Sequence, residues 1–368
     1  DGRTMRLLMV AHTDAPWTPH YSRYFVGRGD RVLVVTFAPG RIEGVETEFV
    51  GIEPFDFRRN KRVYFTRVPR VRRIIRSFAP DLVYAPYLAS NGLTAVLAWK
   101  GPIIVAARGG DVLEQAGRTG LRRRLREALV RFVCGRAVLV HTVAQELDDE
   151  LIRLGVPASK LVQIPVGVDV RQFTPGADLP RPTATRLVCV RKHEPIYDNA
   201  TILDALARLK AAGRDFRCTM AGAGTLLEKH KEQARALGLL DRVTFTGNLG
   251  HDKLPGVLRE ADIYISASLS DGTASSLLEA LATGLTPVVS RIRANTPWIT
   301  HGRTGLLFEP GSAASLAEAL ETAMNDAELR RRAFVENPAR VARDADMHKN
   351  MERLAGVFEK VAAGEPKV

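Results

Sequence analysis

Three cysteines in 368 residues are too few and too scattered to build anything. Cys134, Cys189 and Cys218 each lie in an apolar or strand-like segment, and their number is odd, so they read as small buried hydrophobes rather than disulfide or metal partners. Long apolar runs are also missing. No stretch of about twenty such residues is present to span a bilayer, and Asp1 to Val10 lacks the features of a signal peptide. A soluble protein on the cytoplasmic side is the resulting expectation. The eight histidines are dispersed. His141 closes an apolar strand and His301 precedes a turn at Gly302, and neither has a carboxylate or cysteine at metal-ligand spacing. No Walker-type lysine, Ser-His-Asp ordering, low-complexity tract or short repeat is found.

What the chain does have is enough length, and at 45% enough hydrophobic residues, for two cores. Short β-branched runs alternate with helical patterns: Arg6 to Val10, Val32 to Thr36, Asp81 to Tyr84, Ile103 to Ala106, Ala137 to Val140 and Leu161 to Ile164. Alternation of this kind means βαβ units and a parallel sheet covered by helices on both faces. A proline-rich stretch from Gly167 to Pro182 interrupts it. The pattern then restarts with Arg186 to Val190, a helix over 200–212, Phe216 to Met220, a helix over 226–237, Val243 to Phe245, Ile263 to Ile265 and Pro287 to Val289. Helices over 314–324, 326–333 and 347–361 complete it. The predicted fold is therefore α/β, two Rossmann-like doubly wound domains facing each other across a cleft lined by the carboxyl ends of their strands.

Net charge is +12, unevenly spread. Arg58 to Arg76 holds nine basic residues and no acid, and Arg118, Arg122, Arg123, Arg124 and Arg126 form a second group. Both are interleaved with apolar residues such as Val63, Phe65, Ile75 and Leu121, as on an amphipathic surface. A solvated face and an anionic membrane or acidic acceptor surface both fit; a peripheral position on the inner face of the membrane would follow from the second. Nucleic acid is disfavoured, because no zinc-finger spacing, RNP-like motif or helix-turn-helix accompanies the arginines.

The most informative segment is Ser268-Leu-Ser-Asp271-Gly-Thr-Ala-Ser-Ser-Leu-Leu-Glu279, with two carboxylates eight residues apart around a small-residue turn that opens an apolar helix. The free N–H groups and positive dipole end of such a helix favour a phosphate, and small residues let it approach the backbone. Glu279, two turns inside the helix, can accept hydrogen bonds from a ribose. Asp271, in the loop before it, can hold hydroxyls on whatever the phosphate carries. The spacing reads as a site for a sugar nucleotide.

Around it stand Gly109-Gly-Asp111-Val, Ile164-Pro-Val-Gly167-Val-Asp169, Gly222-Ala-Gly224, Phe245-Thr-Gly247, Ala261-Asp262-Ile, Asp271 to Glu279, and Gly302-Arg-Thr-Gly305-Leu-Leu-Phe. With these seven motifs in register over nearly its whole length, the chain resembles the GT-B glycosyltransferases of family 4 (glycosyl transferases group 1), which are retaining and metal-independent. The resemblance implies an acceptor-binding domain over 1–172, with a helix over 345–368 packing back on it, and a nucleotide-sugar-binding domain over 173–344. It makes Asp271, Arg191 and Asp111 the catalytic residues. Glu279 would hold the ribose, Gly272, Thr273, Ala274 and Ser275 the diphosphate, and Gly222, Gly224 and the loop of Thr246, Gly247, Asn248 and Leu249 the rest of the nucleotide. Guanidinium suits Arg191 to the leaving diphosphate, since it offers a rigid fork of donors.

Three departures stand out. The lysine that the family usually places shortly after its arginine is absent, its place falling near Ile196 and Tyr197, so Lys192, His193 or an arginine from elsewhere in the chain is expected to supply charge. Where the family commonly has histidine before Gly109 and Gly110, this chain has Arg108, which suggests an acidic acceptor, an extra phosphate contact or a salt bridge. The loop after the first strand lacks the family's glycine pair, and its Trp17, His20 and Tyr21 suggest acceptor recognition or ordinary packing.

The function implied is transfer of a sugar from a UDP- or GDP-linked donor to the hydroxyl of a lipid-linked, polysaccharide or natural-product acceptor, without a cofactor. Rival readings are a metal-independent sugar-nucleotide epimerase of the same fold and a non-catalytic basic anion-binding protein.

Overall fold

Strands such as Leu7-Leu-Met-Val10 and Leu82-Val-Tyr-Ala-Pro86 carry apolar side chains on both faces, and all of these are buried. Only a parallel sheet covered by helices on both sides accepts such strands. The structure, a computed structural model, describes residues 4–15, 17–53, 61–109, 112, 120–176, 185–271 and 275–365. It divides into one unit of Asp1–Val166 with Lys349–Val368 and a second of Gly167–His348.

In the first unit the elements run β1 (Arg6–Val10), α1 (Trp17–Gly27), β2 (Arg31–Thr36), β3 (Glu46–Phe49), α2 (Val63–Thr66), α3 (Val68–Phe78), β4 (Leu82–Pro86), α4 (Leu93–Ala98), β5 (Ile103–Ala106), α5 (Leu121–Arg136), β6 (Leu139–Thr142), α6 (Gln145–Arg153) and β7 (Leu161–Gln163). Strand order is β3-β2-β1-β4-β5-β6-β7, every pairing parallel. One face packs on α3, α5 and α6 through Val71, Ile75, Val133, Leu147 and Leu151. On α3 the opposite side exposes Arg70, Arg72, Arg73 and Arg76. The other face of the sheet packs on α1 and on the last helix of the chain (Met347–Ala362), where Phe25 and Phe358 stack at 5.1 Å between ring centroids.

The second unit runs β8 (Thr185–Val190), α7 (Asn199–Ala211), β9 (Phe216–Ala221), α8 (Leu227–Ala236), β10 (Val243–Gly247), α9 (Leu254–Arg259), β11 (Ile263–Ser266), α10 (Ser275–Ala282), β12 (Thr286–Ser290), β13 (Leu306–Phe308), α11 (Ala313–Asn325) and α12 (Ala327–Asp344). Its order is β10-β9-β8-β11-β12-β13, again all parallel. Core residues of α7 and α11 cover one face, and those of α9, α10 and α12 the other.

Both sheets are doubly wound, and each reverses its strand order once, between β1 and β4 and between β8 and β11. At such a reversal the loops leave toward opposite faces and open a crevice at the carboxyl ends of the strands. Two strands escape the sequence pattern: β3 is a polar edge strand and β13 has three residues. The helix expected over 326–333 continues to Asp344 through Pro338. Beside the proline, the buried Asn337 amide donates to the carbonyls of Leu285 and Thr304, 3.2 and 2.9 Å away, tying this part of the helix to the domain.

Candidate active site

At the reversal in the second sheet two of the sequence-selected residues, Arg191 and Asp271, meet. Arg191 follows the end of β8, and Ser268 and Asp271 follow the end of the adjacent β11. Arg191 Nη2 donates to Ser268 Oγ at 3.1 Å and pairs with the Asp271 carboxylate; Nη1 donates to Ser276 Oγ, in the first turn of α10, at 3.2 Å. The guanidinium carbon lies 4.2 Å from the centre of the Tyr197 ring. Its side chain is 9% exposed and that of Asp271 is 19% exposed. Burial opposes charge on Arg191, but Tyr264, Asp271 and Tyr197 outweigh it and hold the group firmly protonated. Ser276 Oγ also shares a 2.9 Å hydrogen bond with the buried Tyr264 hydroxyl.

The missing lysine is thereby explained in part. Its place is taken by Tyr197, whose ring covers the guanidinium. Lys192 has an exposed side chain, whereas His193 turns inward, fully buried, with Nδ1 2.7 Å from Nδ1 of His230. Burial, then the neighbouring His230 and Lys231, push His193 down to about 4. It is neutral near pH 7, so the expectation that it supplies positive charge is corrected.

The Gly222 to Gly224 turn packs under this site. A Cβ at Gly222 would collide with the Arg191 carbonyl, and one at Gly224 with the His193 backbone. The close approach is thus to the arginine's own loop, which the turn clamps through His193 N–H to Ala223 O at 3.0 Å and Leu226 N–H to His193 O at 2.9 Å. Gly222 N–H donates to Gly247 O at 2.8 Å, joining the Thr246-Gly247-Asn248-Leu249 loop to the same platform, with Thr246 and Asn248 exposed.

Glu279 lies on the inner side of α10, where every residue from Ser276 to Ala282 is buried. Its Oε1 is 3.0 Å from Nε2 of His251, in the loop after β10, and that ring stands T-shaped to Phe173 with 5.4 Å between ring centroids. Hydrogen bonding to Glu279 raises the His251 pKa, against partial burial and with help from the charges of Glu279 and Asp252.

In the first unit, Arg108 follows β5. Its Nη2 donates to Tyr84 Oη at 2.7 Å and Nη1 to Tyr21 Oη at 3.4 Å, and its guanidinium carbon stands 4.5 Å from the Trp17 ring. Trp17, His20 and Tyr21 belong to helix α1 rather than to the loop before it, and Trp17 and Tyr21 are buried. Beyond Tyr84 the contacts continue to His141 Nδ1 at 2.9 Å, and His141 Nε2 reaches the Ile164 carbonyl at 2.7 Å. Because a carbonyl only accepts, Nε2 carries the proton, Nδ1 accepts from Tyr84, and Tyr84 accepts from Arg108. Gly109 is buried with φ near 124°, a conformation that favours glycine.

Gly110, Asp111, Gly272, Thr273 and Ala274 lie outside the described residues; Ser275 opens α10. Nothing in the sequence spacing singles out Ser268, Ser276, Tyr264 or His251. Tyr197 alone had a signal, since it stands where the lysine is absent. Among the described residues no three His, Cys, Asp or Glu side chains converge as a metal site, and no helix is long and apolar enough to cross a membrane.

Two family models cover most of the chain, Glycosyltransferase Family 4 over residues 20–172 and Glycosyl transferases group 1 over residues 180–338. Among curated proteins, a glycogen synthase of Mycobacterium tuberculosis is 25% identical over 294 residues, 79% of this chain and 71% of its own length. A sucrose-phosphate synthase from Thermosynechococcus elongatus superposes with a TM-score of 0.84 at 16% identity, covering 97% of this chain and 99% of that one. Anabaena HepE, solved in complex with UDP, superposes with a TM-score of 0.79 at 17% identity over 97% of this chain and 100% of its own. With both halves matched in order and both sheets wound as that fold requires, the chain belongs to the group 1 glycosyltransferases of GT-B fold.

Proposed function

We propose that this protein transfers a sugar from a nucleoside diphosphate donor to an acceptor hydroxyl, keeping the anomeric configuration and using no metal. The observation that carries the reading is the position of Arg191: a nearly buried guanidinium at the strand-order reversal, held by two serine hydroxyls and a carboxylate beside the start of α10. A diphosphate placed there meets a fork of donors and the positive end of a helix together.

In the proposed reaction the bond from the anomeric carbon to the diphosphate oxygen breaks and a bond to the acceptor oxygen forms on the same face of the ring. The acceptor's proton passes to an oxygen of the departing phosphate. Arg191 and the N–H groups at the start of α10 stabilise the charge that builds on the diphosphate, and these groups are already oriented before reaction, which is where electrostatic catalysis gains most. Asp271 would exchange its contact with Arg191 for the donor sugar's hydroxyls, while Glu279 would take the ribose.

Thermal unfolding with UDP, GDP and their sugar conjugates tests this. A ligand that binds only the folded state raises the melting temperature by mass action. One nucleoside diphosphate should give a clear rise that Glu279→Ala removes, and turnover of its sugar conjugate should survive a chelator. No rise with any nucleotide would remove the donor-site reading, and release of an epimerised nucleotide sugar with no acceptor consumed would favour the epimerase.

A further inference from the structure

Glu279 and His251 form an unequal pair. The carboxylate is fixed: it sits on a helix whose neighbouring residues are all buried, and its side chain is only 9% exposed. The imidazole is not: its side chain is 65% exposed, it sits in the loop between β10 and α9, and its other close neighbour is the Phe173 ring. Among the described residues His251 is the one side chain that hydrogen-bonds the Glu279 carboxylate. A buried carboxylate left without a donor is costly, so the empty site needs something in that place. A donor from the rigid interior would block the carboxylate permanently, whereas a mostly exposed ring on a loop can turn out into water.

We propose that His251 is a removable stand-in for the nucleotide's ribose, occupying the Glu279 carboxylate while the donor site is empty and leaving it when ribose hydroxyls arrive. This rests on the donor-site reading above and adds its regulation. A carboxylate offers acceptors only, and one with so little exposure has scant room for further donors beside the ring. Ribose and imidazole therefore compete, and apparent nucleotide affinity is reduced by the fraction of molecules in which His251 is docked.

The charged groups facing His251 are Glu279 from α10 and Asp252 from its own loop; the segment around Phe173 brings a neutral ring. Both carboxylates favour the protonated ring, so the contact is tightest in acid and loosens as pH rises through the raised pKa of His251. Nucleotide binding should follow the opposite course.

Titration calorimetry on the full chain with UDP and with GDP, comparing wild type and His251→Ala at pH 6 and pH 8, tests the proposal. His251→Ala should bind the preferred nucleotide about three- to tenfold tighter at pH 6, with the gap shrinking at pH 8, as expected when a competing docked state is removed. Changes in phosphate ionisation affect both proteins alike and cancel in the ratio. Equal affinities, or weaker binding by His251→Ala, would overturn the proposal, the latter making His251 a ribose-positioning residue. Thermal unfolding without ligand gives a separate arm: wild type should exceed His251→Ala in melting temperature by more at pH 6 than at pH 8. If that difference appears but neither protein binds a nucleotide, the donor-site reading fails and the stand-in with it. If nucleotides bind and that difference is absent, the stand-in alone fails.

Discussion

Arg108 and Arg191 each follow the carboxyl end of a parallel strand and each is largely withdrawn from water, yet their surroundings differ in kind. Arg191 is held by a carboxylate and two hydroxyls that face the start of a helix. Among the described residues Arg108 donates to two phenols and faces a tryptophan, and contacts run from it inward through Tyr84 and His141 to a backbone carbonyl. In the proposed reaction the first set of partners is exchanged for a phosphate at small cost, because serine hydroxyls rotate and Asp271 would turn to the donor sugar's hydroxyls. The second is a directional chain in which each group fixes the next, so removing one member leaves buried polar atoms without partners. A charged residue after a strand is thus a poor guide to chemistry until its partners are known.

The largest effect expected from this contrast is on catalysis. Arg191→Ala should lower kcat/KM by about 10²–10³, the usual consequence of deleting one preorganised donor to developing negative charge. Arg108→Ala should instead show first as a lower melting temperature. Steady-state kinetics beside thermal unfolding of both variants reads the difference. The contrast breaks if Arg191→Ala keeps full turnover, or if Arg108→Ala loses as much turnover at an unchanged melting temperature.

A smaller effect sharpens the structural half. Tyr84→Phe removes a hydroxyl that accepts from Arg108 and donates to His141, at a residue that is fully buried. Taking away the hydroxyl that links those two groups should cost about 1–3 kcal/mol in denaturant unfolding. A neutral result would mean the chain of contacts contributes nothing.

Most of the sheet could be read in advance because parallel strands buried on both faces are written in β-branched and other apolar residues. Glu46-Thr-Glu-Phe49 could not, since an edge strand paired on one side tolerates charge and loses the pattern. The long α12 runs past the end expected at 333 and through Pro338, a helix breaker that tertiary packing overrides here. At the candidate site, Asp271 and Glu279 stood out by their spacing and Arg191 through the family resemblance. Their partners did not: Arg191 meets residues 77 to 85 positions away, and no periodicity links a residue to a neighbour supplied by another strand. His251 was hidden for the same reason, and His193 was misjudged because the side of the strand-end loop it faces, and hence its burial, is set by the glycine turn beneath it.

The same contrast extends to acid stability. Each arginine has a buried histidine nearby, and in both the folded state favours the neutral ring: His141 is lowered to about 3 by burial and then by Arg108, His193 to about 4 by burial and then by His230 and Lys231. A histidine whose folded pKa lies below its unfolded value near 6.5 binds its proton more readily when unfolded, so its stabilising effect is present above that value and is lost as pH falls toward the folded pKa. Each such ring steepens the loss by up to about 1.4 kcal/mol per pH unit. Arg108 is among the causes for His141, whereas Arg191 is not among those for His193. Denaturant unfolding between pH 4 and pH 7 should therefore show a shallower acid decline in Arg108→Ala, where His141 protonates more easily when folded, and no change of slope in Arg191→Ala. Equal slopes in the two variants would mean that Arg108 does not set the charge state of the ring to which its contacts lead.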